Sequence, residues 1–148
     1  WPFFKGRDGC RTPMQWDPTP HAGFTTGTPW LRVNPDWRQK NVTAQRDEPN
    51  SLLSVYRRLI WLRKRHPVLQ AGTMTLPEVD HPRVLTWRRD LDGAAVRVIL
   101  NMTPRRVGFP RPEERYALLF GTHLDPEVSG TGDLRLRPHE GLVLNIGV

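Results

Sequence analysis

The sequence predicts a mainly β chain: an antiparallel β-sandwich at the C-terminal end, preceded by an irregular loop and one amphipathic helix. Three observations predict it. Fifteen prolines and 12 glycines punctuate 148 residues, so regular elements are short. Helical three-four spacing of apolar residues occurs in one stretch only, from Leu52 onward. After residue 73, short apolar runs alternate with polar turns, the pattern of an all-β fold.

Residues 1–48 show neither a helical nor a strand period. Trp1, Trp16, Trp30 and Trp37 are spaced through turn signals such as Asp17-Pro18, Gly27-Thr28-Pro29 and Asn34-Pro35-Asp36. An irregular stretch of this length is usually functional or leans on a larger body. Its tryptophans must be buried or used, and a loop alone has little to bury them against. The expectation is a piece of wall belonging to something larger.

The helix begins where Ser51 can cap Leu52. Leu52, Val55, Tyr56, Leu59, Ile60 and Leu62 form its apolar stripe, and Arg57, Arg58, Lys64 and Arg65 lie mostly off it. His66-Pro67 ends or kinks it, because proline lacks an amide donor and disfavours helical geometry just before it. No second strong helix is predicted to cover the stripe.

Strands are expected at Thr73–Leu76, Val84–Arg89, Ala94–Asn101, Tyr116–Phe120, Asp133–Arg137 and Leu142–Ile146. Val96, Val98 and Leu100 alternate with Arg97, Ile99 and Asn101. Asp90-Leu91-Asp92-Gly93 signals a hairpin turn between two of them.

Charge and motifs remove several function classes. Of the net charge of +7, residues 51–100 carry +5, concentrated in Arg57-Arg58 and Arg63-Lys64-Arg65. On a helix these read as a solvated outer face, and no nucleic-acid-binding motif accompanies them. Cys10 is the only cysteine, which excludes an internal disulfide and a cysteine-rich zinc site. A nucleophilic Cys10 with His21 as base lacks an orienting third group, and a buried, inert cysteine is the expected state. The five histidines fall in no metal-binding spacing, and there is neither a phosphate loop nor a nucleophile elbow. No apolar run approaches the roughly 20 residues of a membrane span, and no signal-peptide pattern opens the chain. The expectation is therefore a cytoplasmic protein with no cofactor, no metal, no nucleic acid and no membrane.

The run Gly6-Arg7-Asp8-Gly9-Cys10-Arg11-Thr12-Pro13-Met14-Gln15-Trp16-Asp17 is the most specific feature. With Ala22-Gly23-Phe24-Thr25-Thr26-Gly27-Thr28-Pro29-Trp30-Leu31 and Val33-Asn34-Pro35, it closely resembles the retaining α-glucosidases of the α-amylase superfamily, glycoside hydrolase family 13. Oligo-1,6-glucosidases share it. Tyr56-Arg57-Arg58-Leu59-Ile60 and Leu62-Arg63-Lys64-Arg65-His66-Pro67 resemble that family's final barrel helix. Leu136-Arg137-Pro138-His139-Glu140-Gly141-Leu142-Val143-Leu144 resembles the last strands of its C-terminal domain.

The resemblance implies a division of the chain. Residues 1–72 would be the end of a (β/α)8 catalytic barrel, an active-site-face loop plus the last helix, and residues 73–148 an all-β accessory domain. The chain, which opens on Trp1, would then be the C-terminal part of a longer enzyme whose N-terminal barrel is missing. That enzyme would take an α-glucoside or oligosaccharide substrate. The family's nucleophile, acid/base and transition-state-stabilising carboxylates precede this segment, so no catalytic residue is expected here. Substrate-binding candidates are Arg7, which the motif places against the terminal glucose unit, and Asp8, which would orient Arg7 or its loop. A structural ion pair of Arg7 with Asp8 or another loop acid is the competing reading. Trp16 and Trp30 are expected to serve loop packing rather than sugar stacking. Two alternatives remain: a stand-alone carbohydrate-binding β-module, and a basic nucleic-acid-binding domain.

Overall fold

The computed structural model describes residues 6–76 and 81–147. The chain divides into two compact units, Trp1–Tyr56 and Arg57–Val148.

The first unit is held by turns and caps rather than by a sheet. Short 3-10 turns occupy Asp8–Cys10 and Pro20–Gly23. Ala22 is fully buried, and its carbonyl accepts from the amides of Trp16 at 2.9 Å and Asp17 at 3.3 Å. His21, Ala22 and Gly23 all have positive φ. At Gly23 any side chain would overlap the Asp17 carboxylate, so this turn requires glycine. Residues 42–46, expected to be irregular, form a helix, α1 (Val42–Arg46). Buried Asn41 caps it, its Oδ1 accepting from Ala44 N at 2.8 Å. The Ser51 cap forms as expected, with Oγ accepting from Ser54 N at 3.1 Å and donating to the Gln45 carbonyl at 2.7 Å.

The boundary between the units falls inside helix α2 (Leu52–Arg65). Pro67 does more than end it. Placed at the first helical position, where its missing amide costs nothing, it starts α3 (Pro67–Ala71).

The second unit is the antiparallel sandwich. Its strands are β1 (Thr73–Thr75), β2 (Val84–Leu91), β3 (Ala94–Asn101), β4 (Val107–Phe109), β5 (Tyr116–Gly121), β6 (Leu134–Leu136) and β7 (Gly141–Ile146). Five of them form one sheet in the order β1-β2-β3-β7-β5, and β4 pairs with β6 in a second. The β2–β3 hairpin closes on Asp92 (φ 47°) and Gly93 (φ 82°), and Leu91 pairs with Ala94. Positive φ at both loop positions is the type I′ geometry that matches strand twist.

Alternation sorts the sheet's two faces. Ala95 and Ile99 join Leu142, Leu144 and Ile146 against Val107, Phe109, Leu134 and Leu136 of the short sheet, and this is the core. Val96 and Val98 point the other way and are also buried, so the large sheet is covered on both faces. On that second side α3 packs against β2 and β3. Leu59 and Leu62 of α2 share an apolar cavity of about 370 Å3 with Trp87, Val98 and Val143. At the end of β3, Asn101 is 3% exposed and satisfies both ends of its amide. It donates to the Arg105 and Arg137 carbonyls at 2.7 Å and accepts from Thr103.

Candidate functional site

The motif segments of the first unit are stitched together by side-chain amides. Asn34 Nδ2 donates to Thr12 Oγ1 at 3.3 Å and to Gln15 Oε1 at 3.4 Å. Gln15 Nε2 donates to Asp36 Oδ1 at 3.1 Å and to the Lys40 carbonyl at 2.6 Å. Lys40 lies 3.2 Å from the Asp36 carboxylate and, with Gln15, holds its pKa below the ordinary carboxylate value. The Gly-Arg-Asp run and the Asn-Pro-Asp turn, more than twenty residues apart in sequence, thus form one wall.

That wall encloses an open depression of about 460 Å3, lined by Asp8, Gly9, Thr12, Arg32 and Asn34 with Leu31 and Pro35 beside them. Asp8 therefore faces the depression, as an orienting or ligand-contacting carboxylate requires. Arg7 is not part of its lining. It precedes the Asp8–Cys10 turn, and its carbonyl accepts from Cys10 N at 3.1 Å and Cys10 Sγ at 3.0 Å. Among the described residues neither the Arg7 nor the Asp8 side chain makes a hydrogen bond or ion pair. The structural pairing of Arg7 with Asp8 is not formed, and both side chains are exposed.

Several other expectations are corrected here. Cys10 is exposed, not buried, and no hydrogen bond joins it to His21 among the described residues. Trp30 is 84% exposed and Trp16 49%, so neither serves loop packing to any large extent. Arg32 was not singled out in the sequence, and Asn34 was read only in a turn signal and in the motif. Their spacing from Asp8 carries no periodic signal, because an irregular loop brings them together. No group of three or more His, Cys, Asp or Glu that could hold a metal ion exists among the described residues. Among the described residues no helix is long and apolar enough to cross a membrane.

The chemistry this wall can offer is hydrogen bonding. A carboxylate, a guanidinium, an amide and a hydroxyl give both donors and acceptors, which suits a polyhydroxylated ligand. Asp8 is the one carboxylate among the described residues lining it. Glycosidic cleavage takes two, about 5–5.5 Å apart in a retaining enzyme.

Comparison with known proteins agrees with the motif. Residues 3–72 match the model of the α-amylase catalytic domain family. An oligo-1,6-glucosidase of Halalkalibacterium halodurans is 41% identical over 143 residues, which is 94% of this chain and 26% of that enzyme. An oligo-1,6-glucosidase of Parageobacillus thermoglucosidasius is 38% identical over 97% of this chain and 26% of its own length. Among solved structures, a trehalulose synthase superposes with a TM-score of 0.86 at 31% identity, covering 95% of this chain and 26% of that one. The chain spans about a quarter of the length of the relatives it matches. Motif, sandwich and relatives agree, and the chain belongs to the α-amylase family.

Proposed function

We propose that this chain is the C-terminal part of a retaining α-glucosidase acting on α-linked gluco-oligosaccharides or sucrose. Residues 1–72 would end its (β/α)8 barrel, and residues 73–148 would be its accessory β-domain. In this reading Asp8 and Arg7 belong to the innermost sugar subsite. Arg7 supplies a permanently charged donor fork to the terminal glucose unit. The nucleophile and acid/base are carboxylates of the preceding barrel, and this chain supplies no catalytic group.

The observation that carries the reading is the pattern of coverage: nearly the whole chain aligns with only a quarter of each glucosidase. The helix α2 supports it independently. Leu52, Tyr56 and Ile60 recur every four residues along one side and are 66%, 59% and 51% exposed. A soluble helix places such a stripe against a partner surface, and the end of a barrel supplies one.

The test is an assay of the purified chain on an aryl α-glucoside, alongside the protein encoded together with its upstream reading frame. The reading expects no turnover from the chain alone and turnover from the longer protein, with a barrel bearing three catalytic carboxylates upstream. Turnover by the chain alone overturns it, and so does an upstream frame without such a barrel.

A further inference from the structure

The two arginines at the start of the basic run do not share one solvated outer face. Arg57 is exposed, but Arg58 is half-buried, its guanidinium carbon 5.2 Å from the ring centroid of Phe120 on β5. Its Nε and Nη2 are buried and have no hydrogen-bond partner among the described residues. A guanidinium in that state is costly unless something completes it, because each buried unmade bond to a charged group carries its full desolvation penalty.

Both nitrogens belong to a residue that lines a cavity of about 620 Å3 between the C-terminal half of α2 and the end of β5. Arg57, Arg65, His66 and His123 share its wall, and no carboxylate lines it among the described residues. Asp125, close by in sequence, is turned toward Arg137 at 3.0 Å. The rest of the wall is apolar and includes Trp61, Leu124 and Pro126. The Trp61 ring also lies 5.9 Å from the Arg65 guanidinium carbon, which keeps that cation beside the cavity.

We infer that this cavity binds a small phosphorylated organic molecule, its phosphate held by Arg58 with Arg57 and Arg65 and its body resting on the apolar part of the wall. Three arginines without an acid ask for more than one negative charge, which a phosphate monoester carries at neutral pH. The planar fork of arginine matches phosphate oxygens, and a turn of the half-buried Arg58 side chain would bring its unpartnered Nε and Nη2 to the cavity surface. The cavity exceeds the size of a bare oxyanion, and its apolar wall has a use only if the anion has a body attached. The inference does not depend on the glucosidase reading, because it uses no residue of the Asp8 depression.

Phenyl phosphate is the probe, titrated into the full chain while the arginine side-chain Nε–H resonances are followed by NMR. The expected result is saturable movement of the Arg58 and Arg65 signals with a Kd on the order of 1 mM. Inorganic phosphate and benzoate should each bind roughly tenfold or more weakly, the first lacking the body and the second the second charge. Arg58→Met should weaken phenyl phosphate by about tenfold or more. Arg57→Gln and Arg65→Gln, both at exposed positions, should weaken it without altering the thermal melt, so loss of folding in Arg58→Met leaves the test intact. Lys40→Gln should change nothing. Absence of saturable shifts overturns the inference, as does benzoate binding equally well or full affinity in the arginine variants. A single-stranded oligonucleotide bound through the same arginines more tightly than phenyl phosphate also overturns it, in favour of a polynucleotide surface.

Discussion

Arg137 and Glu140 are locked together at the turn into β7. Arg137 Nη2 lies 3.0 Å from Glu140 Oε1, and the Arg137 backbone amide donates to Oε2 at 2.7 Å. Glu140 is only 2% exposed and sits among the largest buried side chains of the sandwich. Between them His139 holds a positive φ of 53°, a strained position for a residue with a side chain. The carboxylate binds both the side chain and the backbone of Arg137, so it fixes the turn and not merely a charge. Arg137 in turn reaches Asp125 at 3.0 Å and ties in the loop after β5.

Truncating the acid should therefore be expensive. Glu140→Ala leaves the Arg137 amide without its acceptor and the guanidinium with Asp125 as its only acid partner, and should cost about 3 kcal/mol. For a domain of this size that corresponds to a fall in Tm on the order of 10 °C. Replacing both partners, Arg137→Met with Glu140→Leu, should be milder than Glu140→Ala alone, because the one charge left unpaired, Asp125, is exposed to water. Thermal melts of the three variants check this. A melt of Glu140→Ala matching that of the parent would remove the pair from any structural role.

Acid should loosen both units, and the sign follows from which carboxylates are shifted. Thr19 lowers the pKa of Asp17, Lys40 that of Asp36 and Arg137 that of Asp125, all below the ordinary 3.8. Glu114 falls below 4.5, through a backbone amide first and then Arg88 at 2.8 Å. A group whose pKa is depressed by folding contributes stability that is fully present above the unfolded value and is lost as pH falls through the folded one. Stability should be level above about pH 5 and decline from about pH 4.5 downward. Urea midpoints measured across that range test it, and Arg88→Met should shallow the decline by releasing Glu114. Midpoints that rise on acidification below pH 4 would contradict the assignment.

The exposed side of α2 should make the isolated chain self-associate. Leu52, Tyr56 and Ile60 form a continuous apolar row, whereas Leu59 and Leu62 face the sandwich. Tyr56→Lys with Ile60→Lys should abolish concentration-dependent association in sedimentation velocity. Stability should move by no more than about 1 kcal/mol, because both positions are already wet. A chain that is monomeric before the substitutions would show that the row needs no partner.

That row also marks how far the sequence could be read. The helix and its Ser51 cap were legible because a 3.6-residue period and a capping hydroxyl are local signals. The long strands were legible from alternation, and the turn at Asp92-Gly93 from its chemistry. What escaped was short or tertiary. Val107–Phe109 has a central glycine, and three residues are too few to show a period. Helix α1 has five residues and is recognisable only through Asn41. The helical wheel placed Arg58 off the apolar stripe and so in water, but a wheel does not know that Phe120 lies across from it. In the candidate site Arg7 and Asp8 were found by motif. Arg32 and Asn34 join Asp8 only through loop closure, which no spacing rule encodes.

Arg7 gives the sharpest test of the substrate reading, and it must be made in the longer enzyme. Its side chain is exposed and makes no ion pair among the described residues, so the fold here gives it no structural duty. If it grips the terminal sugar, Arg7→Ala removes charge-assisted hydrogen bonds worth about 1.5–3 kcal/mol each. Catalytic efficiency, kcat/KM, should then fall roughly ten- to a hundredfold, since about 1.4 kcal/mol corresponds to tenfold. Lysine should rescue only in part, keeping the charge and losing the planar fork. The Tm should barely move, because nothing among the described residues leans on the guanidinium. Asp8→Asn should act in the same direction more weakly, as it keeps the hydrogen-bonding shape of the depression and loses its charge. A structural Arg7 predicts the reverse, a lowered Tm with nearly normal kinetics in the folded remainder. Unchanged efficiency in Arg7→Ala would take both Arg7 and its neighbour Asp8 out of the subsite, leaving the depression beside them without an assigned ligand.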